Sequence, residues 1–149
     1  MRLSPNFELS EFVVSETASR LGIDNTPPFA AVARLALWCE FVGERIRARF
    51  GRPVVITSGY RCLKLNAAVD GATGSLHMTG WAADLTVPGV SVKDVCNAVI
   101  AMNLPFHEVI NEYGAWAHVG LCNVGELPAR RIYTAVKAND GVQYVRGIQ

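Results

Sequence analysis

The sequence predicts an α+β fold, a single domain in which a small, mainly antiparallel sheet carries helices packed against it. Three observations point there. Apolar residues recur at helical steps in several segments, and short apolar runs bounded by glycine, proline and asparagine alternate with them and crowd the second half. The chain has 149 residues, half of them apolar and 18% charged. That length and composition give one well-filled core and exclude a disordered chain. The sequence shows no repeat, low-complexity tract or second domain.

Taken in order, Leu9 to Leu21 reads as a helix capped by Ser10 and stopped by Gly22. Asp24 to Pro28 is a loop, broken by Pro27 and Pro28. Leu35, Trp38, Val42, Ile46 and Phe50 form the clearest helical stripe, with Arg34, Glu40, Glu44, Arg47 and Arg49 opposite, so Trp38 belongs to the core. Gly51 ends that helix, and Pro53 to Thr57 is a short buried strand. Arg61 to Val69 is a helical turn or short helix before the loop Asp70–Ser75. Trp81 to Val87 is a buried strand closed by the turn Pro88–Gly89. Ser91 caps a helix running to Met102, with Val92, Val95, Val99 and Met102 inward. His107–Asn111 and Ala115–Leu121 are strands. Arg131–Val136 and Val142–Val145 flank Asn139-Asp-Gly141, a hairpin signal.

Composition narrows the function. A net charge of +1 gives no electrostatic case for a nucleic-acid partner. No stretch approaches eighteen apolar residues, so no membrane span is expected, and the first residues lack the apolar run of a signal peptide. The expectation is a monomer that is cytoplasmic as synthesised. Cys39, Cys62, Cys96 and Cys122 are widely spaced without a C-x-x-C pair, and read as reduced, partly buried thiols. Cys122 shares a face with His118, but four residues of strand put it about 13 Å away, too far for a common ion.

The chemistry concentrates in Ser75-Leu-His77-Met-Thr-Gly80-Trp-Ala-Ala-Asp84 and in Trp116-Ala-His118. Two imidazoles and a carboxylate are a ligand set for a divalent zinc ion, and three protein ligands leave a fourth position to water. Side chains alternate along a strand, so Ala82 and Asp84 share one face, as do Trp116, His118 and Gly120. Neighbouring strands then present Asp84 and His118 to one cleft, and His77 arrives from the preceding glycine-flanked loop. His107, the third histidine, has the opposite parity to Glu112 and should face away.

Pro53-Val-Val-Ile-Thr-Ser-Gly-Tyr-Arg61, Leu65-Asn66, Ala68-Val69, Ser75, His77, Gly80, Ala82-Ala-Asp84 and Trp116-Ala-His118 resemble the zinc D-Ala-D-Ala carboxypeptidase family. That family includes phage endolysins and D-Ala-D-Ala dipeptidases and shares its fold with the hedgehog signalling domain. The likeness runs from about Leu9 to Leu121, leaving 122–149 as a C-terminal hairpin extension of one 1–149 domain. Phe7-Glu-Leu-Ser-Glu-Phe12 is similar to the amino-terminal stretch of phage and prophage members.

The resemblance implies one zinc ion per chain on His77, Asp84 and His118. It implies that Arg61 binds substrate or stabilises the oxyanion, and that Ser75 and Trp116 contact substrate. The implied substrate is the peptide stem of bacterial peptidoglycan, cut as a D-Ala-D-Ala carboxypeptidase or an L-alanyl-D-glutamate endopeptidase, in phage or prophage lysis. The protein would then reach the wall through a separate pore or from a virion. Family members commonly place the general base three residues before the last histidine, where this chain has Ala115. Hedgehog-like and phage-type members resemble this chain in placing an acid six residues before it, here Glu112.

With Tyr113-Gly114-Ala115 as a three-residue hairpin loop, Glu112 faces Trp116, and Glu112 and His118 become diagonal neighbours about 7–8 Å apart. Glu108 shares that face but lies about 13 Å from Glu112 along the strand. The alternative reading is a non-catalytic zinc-binding virion or hedgehog-like module, motivated by Ala115.

Overall fold

Three aromatic rings organise the amino-terminal layer. Phe7 and Phe12 pack on Trp38 with ring centroids 6.5 and 5.7 Å away, and all three are almost wholly buried. The computed structural model describes residues 1–139 and 141–149. Its first strands, β1 (Arg2–Ser4) and β2 (Phe7–Glu8), pair with each other and deliver Phe7 to that cluster.

The helix expected over Leu9–Leu21 is two helices, α1 (Leu9–Val13) and α2 (Glu16–Leu21). Val14 is extended, and the Ser15 hydroxyl accepts from the Ala18 N–H at 3.2 Å, restarting the helix. Adjacent β-branched residues followed by a strong capping serine make that break locally favourable. Ser10, the expected cap, lies inside α1, whose start is closed by a reciprocal capping box between Glu8 and Glu11. Gly22 ends α2 in the left-handed conformation.

The long apolar stripe is carried by α3 (Phe29–Trp38) and α4 (Glu44–Phe50), joined by one π-helical turn over Cys39–Gly43. Leu35, Trp38, Val42 and Ile46 all point into the core. The Trp38 indole N–H donates to the Val119 carbonyl at 2.8 Å, tying this helical layer to the middle of the sheet.

The remaining strands are β3 (Val55–Ser58), β4 (Ala82–Thr86), β5 (Phe106–Glu112), β6 (Trp116–Leu121), β7 (Arg131–Ala138) and β8 (Gly141–Arg146). They form one sheet in the order β3-β4-β6-β5-β7-β8, antiparallel throughout except for the parallel pair β5–β7. The expected buried strand Pro53–Thr57 is shifted onto β3 and is not buried throughout. It has a single neighbour, so Val55 is 44% exposed while Val54, just before it, is in the core. The expected C-terminal hairpin exists as the pair β7–β8; Asp140 of its turn lies outside the described residues.

Between these strands run α5 (Leu63–Ala68) and α6 (Val92–Ala101), the latter capped by Ser91, whose hydroxyl accepts from the Asp94 N–H. Val92, Val95 and Val99 of α6 join Leu85, Val109, Ala117 and Val119 in the core. The opposite face of the sheet carries the polar residues of the site. Among the described residues, no helix is long and apolar enough to cross a membrane.

Candidate metal centre

Asp84 and His118 are direct Cα partners across β4 and β6, so period-two geometry alone turns both side chains to one face. His77 comes from a 3-10 turn, Leu76–Thr79, between α5 and β4. The Ser75 hydroxyl caps that turn, accepting from the His77 N–H at 3.4 Å. Gly80 closes it with φ +79, and a Cβ there would lie 2.6 Å from the Ala31 carbonyl oxygen. Glycine is therefore required to bring His77 back against the sheet.

The three side chains offer His77 Nε2, Asp84 Oδ1 and His118 Nδ1 to one point. These atoms are separated by 3.1 Å (His77 to His118), 3.2 Å (His77 to Asp84) and 2.8 Å (His118 to Asp84). All three residues are buried, and together they could hold a metal ion. The spacing suits ligands about 2.0–2.2 Å from a common tetrahedral centre. The outer nitrogens are also engaged. His77 Nδ1 donates to the Gly59 carbonyl at 2.7 Å, which leaves Nε2 with its lone pair toward the site. His118 Nε2 lies 3.1 Å from Glu108 Oε1. A metal-binding histidine whose other nitrogen is held by a carbonyl or carboxylate has its ring orientation fixed.

Without a metal, the charges balance through one proton. Burial alone would push His118 down, but hydrogen bonds to Asp84 and Glu108 and their charges override it, holding its pKa at about 9. Burial lowers His77 against the attraction of Asp84. Burial would raise Asp84, yet the His77 charge and the His118 hydrogen bond hold its carboxyl well below the usual range. Without a metal, the His118 imidazolium donates to both Asp84 and Glu108, and His77 lies beside them with its pKa lowered by burial.

Arg61 reaches the site from the segment before α5. Its Nη2 lies 3.2 Å from Asp84 Oδ2, and its Nε donates to the Ser58 hydroxyl at 3.2 Å. Asn25, buried in the loop between α2 and α3, holds that segment. It donates to the Val13 and Tyr60 carbonyls and accepts from the Cys62 N–H. A cleft of about 510 Å³ opens beside the donors, with Arg61, Asp84, Trp116, Ser58 and Val14 among its walls.

Glu112 ends β5 opposite Trp116, as a three-residue loop requires, with Tyr113 and Gly114 both at positive φ. Burial pushes the Glu112 carboxyl up, against the pull of His118. Ala115 sits in the turn itself. The structure therefore gathers His77, Asp84, His118, Arg61, Glu112 and Trp116 around one face, while Ser75 supports His77 from behind. His107 is turned away, its Nδ1 accepting from the Ala129 N–H at 3.3 Å. The four cysteines are free; Cys39 and Cys96 are buried, and burial pushes both thiols up to about 12.

Two residues of the site escaped the sequence reading. Strand alternation puts Glu108 on the correct face but gives it no partner. The signal was Gly120, its cross-strand neighbour, whose missing side chain leaves room for Glu108 to lean toward His118. Asn25 had no local signal, because its three partners are all backbone groups of other segments.

This arrangement, an α+β domain with a buried His/Asp/His donor set beside a cleft, is that of a domain able to hold a divalent metal ion. Comparison with protein families matches residues 5–120 to Peptidase M15, and the chain belongs to that family. Membership supports a metallopeptidase acting on a peptide substrate, and peptidases of this family are zinc enzymes. A search of curated proteins returned no match.

Proposed function

We propose that the protein is a zinc-dependent peptidase that hydrolyses the peptide stem of bacterial peptidoglycan, at a D-Ala-D-Ala or an L-alanyl-D-glutamate bond. One observation carries this reading. Three buried donor atoms converge within 3.2 Å of one another, and one of the three residues, Asp84, lines a cleft that also holds Arg61 and Trp116. His77, Asp84 and His118 hold one zinc ion per chain. When bound, zinc lowers the pKa of its water and polarises the scissile carbonyl.

The chain's own groups do the rest. Glu112 takes a proton from the attacking water and returns it to the leaving amine, and a carboxyl raised by burial is suited to both transfers. Arg61, braced by Asp84 and Ser58, presents positive charge to the substrate carboxylate or the developing oxyanion. Trp116 forms a wall for the stem peptide, with Tyr113 edge-on to it at 5.9 Å. Ser75 adds a hydroxyl beside the first ligand. The protein works as a monomer of one domain, made in the cytoplasm, in phage or prophage wall lysis after release through a separate pore or from a virion. The likeness of Phe7–Phe12 to phage members supports that last step.

The test is mass spectrometry of peptidoglycan fragments after digestion by zinc-loaded protein, with Glu112→Ala alongside. New stem-peptide termini from the wild type alone are expected, and they identify the bond. No cleavage by fully metallated wild type would favour a zinc-binding module without catalysis, the reading that Ala115 motivates.

A further inference from the structure

We propose that the segment beyond the family match completes the metal centre: Arg131 on β7 fixes the Glu108 carboxylate, and Glu108 holds His118 in its ligating orientation. The inference rests on the zinc reading of the site. Peptidase M15 matches only residues 5–120, yet β7 lies in parallel register against β5 with Arg131 directly beside Glu108. Glu108 Oε2 is 3.3 Å from Arg131 Nη2, and Glu108 Oε1 is 3.1 Å from His118 Nε2. Each carboxylate oxygen thus has one partner, and the plane of the group is set from both sides.

Further features make this a built arrangement. Gly120 stands opposite Glu108 on β6, and a Cβ there would come within 3.2 Å of Glu108 Cγ and 2.5 Å of Leu76 Cδ1. A larger residue would have to displace the Leu76 and Glu108 side chains, so glycine leaves Glu108 room to reach His118. The neighbouring Arg130 anchors the start of β7, stacking over Phe106 at 4.3 Å and donating to the Leu104 carbonyl. Thr134, farther along β7, donates to the Gly147 carbonyl and accepts from the Gln149 N–H. The backbone at Arg131 is therefore held by its strand, and the half-exposed guanidinium reaches Glu108 from there.

Glu108 is a positioning residue. With Nε2 pinned, His118 can turn only Nδ1 to the ion, and a carboxylate behind the ring raises its basicity as a ligand. A free Glu side chain would lose rotamer freedom on making that contact, and the ion pair with Arg131 removes much of this cost in advance.

The experiment is zinc affinity by competition with a chromophoric chelator, without substrate, for wild type, Glu108→Ala, Glu108→Gln, Arg131→Ala and the Glu108→Ala/Arg131→Ala pair. Folding is checked by circular dichroism, and Glu108→Gln serves if the alanine variant does not fold. Glu108→Ala is expected to weaken zinc binding about 10–100-fold and to alter the visible spectrum of the cobalt-substituted protein. Arg131→Ala is expected to weaken it several-fold, with no added effect once Glu108 is absent. Unchanged affinity in Glu108→Ala, no effect of Arg131→Ala, or fully additive effects would overturn the proposal. A wild type that binds zinc but cuts nothing defeats the peptidase reading alone and leaves this coupling standing; a wild type that takes up no zinc defeats both.

Discussion

Asp84 and His118 face each other across the β4–β6 ladder, with Asp84 Oδ1 2.8 Å from His118 Nδ1. The same nitrogen that donates to the carboxylate in the metal-free protein is the one aimed at the donor triangle. Metal and proton therefore compete for one atom.

Zinc uptake is accordingly expected to release roughly one proton per ion near neutral pH. His118 titrates at about 9, so affinity should fall about tenfold per unit as pH drops below that value. The sign for the fold is the reverse. A histidine raised from 6.5 stabilises the metal-free protein fully below 6.5, and that contribution is lost as pH rises through about 9. Calorimetry in buffers of different ionisation enthalpy measures the proton, and urea midpoints of chelator-treated protein measure the stability.

Glu112→Gln is expected to separate activity from stability. Cleavage should fall about 10²–10⁴-fold while zinc stoichiometry is kept. Burial raises the Glu112 carboxyl above 4.5, so its charged form opposes folding at neutral pH, and stability is lost as pH rises through the raised value. The variant should therefore melt higher than the wild type at neutral pH when both are metal-free, with no gain near pH 4.

Arg61→Lys is not expected to substitute for arginine. One ammonium cannot reproduce the simultaneous contacts of Nη2 with Asp84 and of Nε with Ser58. Turnover should drop about 10²–10³-fold. Steady-state kinetics on the cleaved stem peptide, with zinc content measured in parallel, provides the check.

Gly59→Ala should damage the centre from behind. A Cβ at Gly59 would stand 2.5 Å from the Phe12 carbonyl oxygen, where backbone must move, and the Gly59 carbonyl is the acceptor that orients His77. A loss of about 1–3 kcal/mol is expected, with weakened zinc binding. Gly74→Ala, with open space around its Cβ, is the control and should be neutral. Denaturant titration of both variants tests the pair.

Local rules made much of the site legible. Alternation along two strands brought Asp84 and His118 to one face, and a loop of three residues set Glu112 against Trp116. The stripe through Leu35, Trp38, Val42 and Ile46 survives a π turn because the inserted residue lies within the helix and leaves all four inward. What local rules did not carry was long-range pairing. The partnership of β5 with β7 depends on where the chain returns after residues 122–130, so Arg131 had no visible target. The Glu108–His118 contact depends on a gap at Gly120 two residues along the partner strand, which pattern alone does not reveal. Ser15 could have been read as a second cap, but the apolar periodicity running past it concealed the break.

The parallel docking of β7 also settles what happens to the outer flank of β5. Ended at Leu121, the chain would present β5 as a bare edge, its unpaired N–H and C=O groups open to any passing strand. The C-terminal hairpin takes that pairing for itself and moves the border of the sheet out to β8, whose residues are exposed and which carries Gln143 and Arg146. In this chain the same strand that brings Arg131 beside Glu108 also covers the flank of β5.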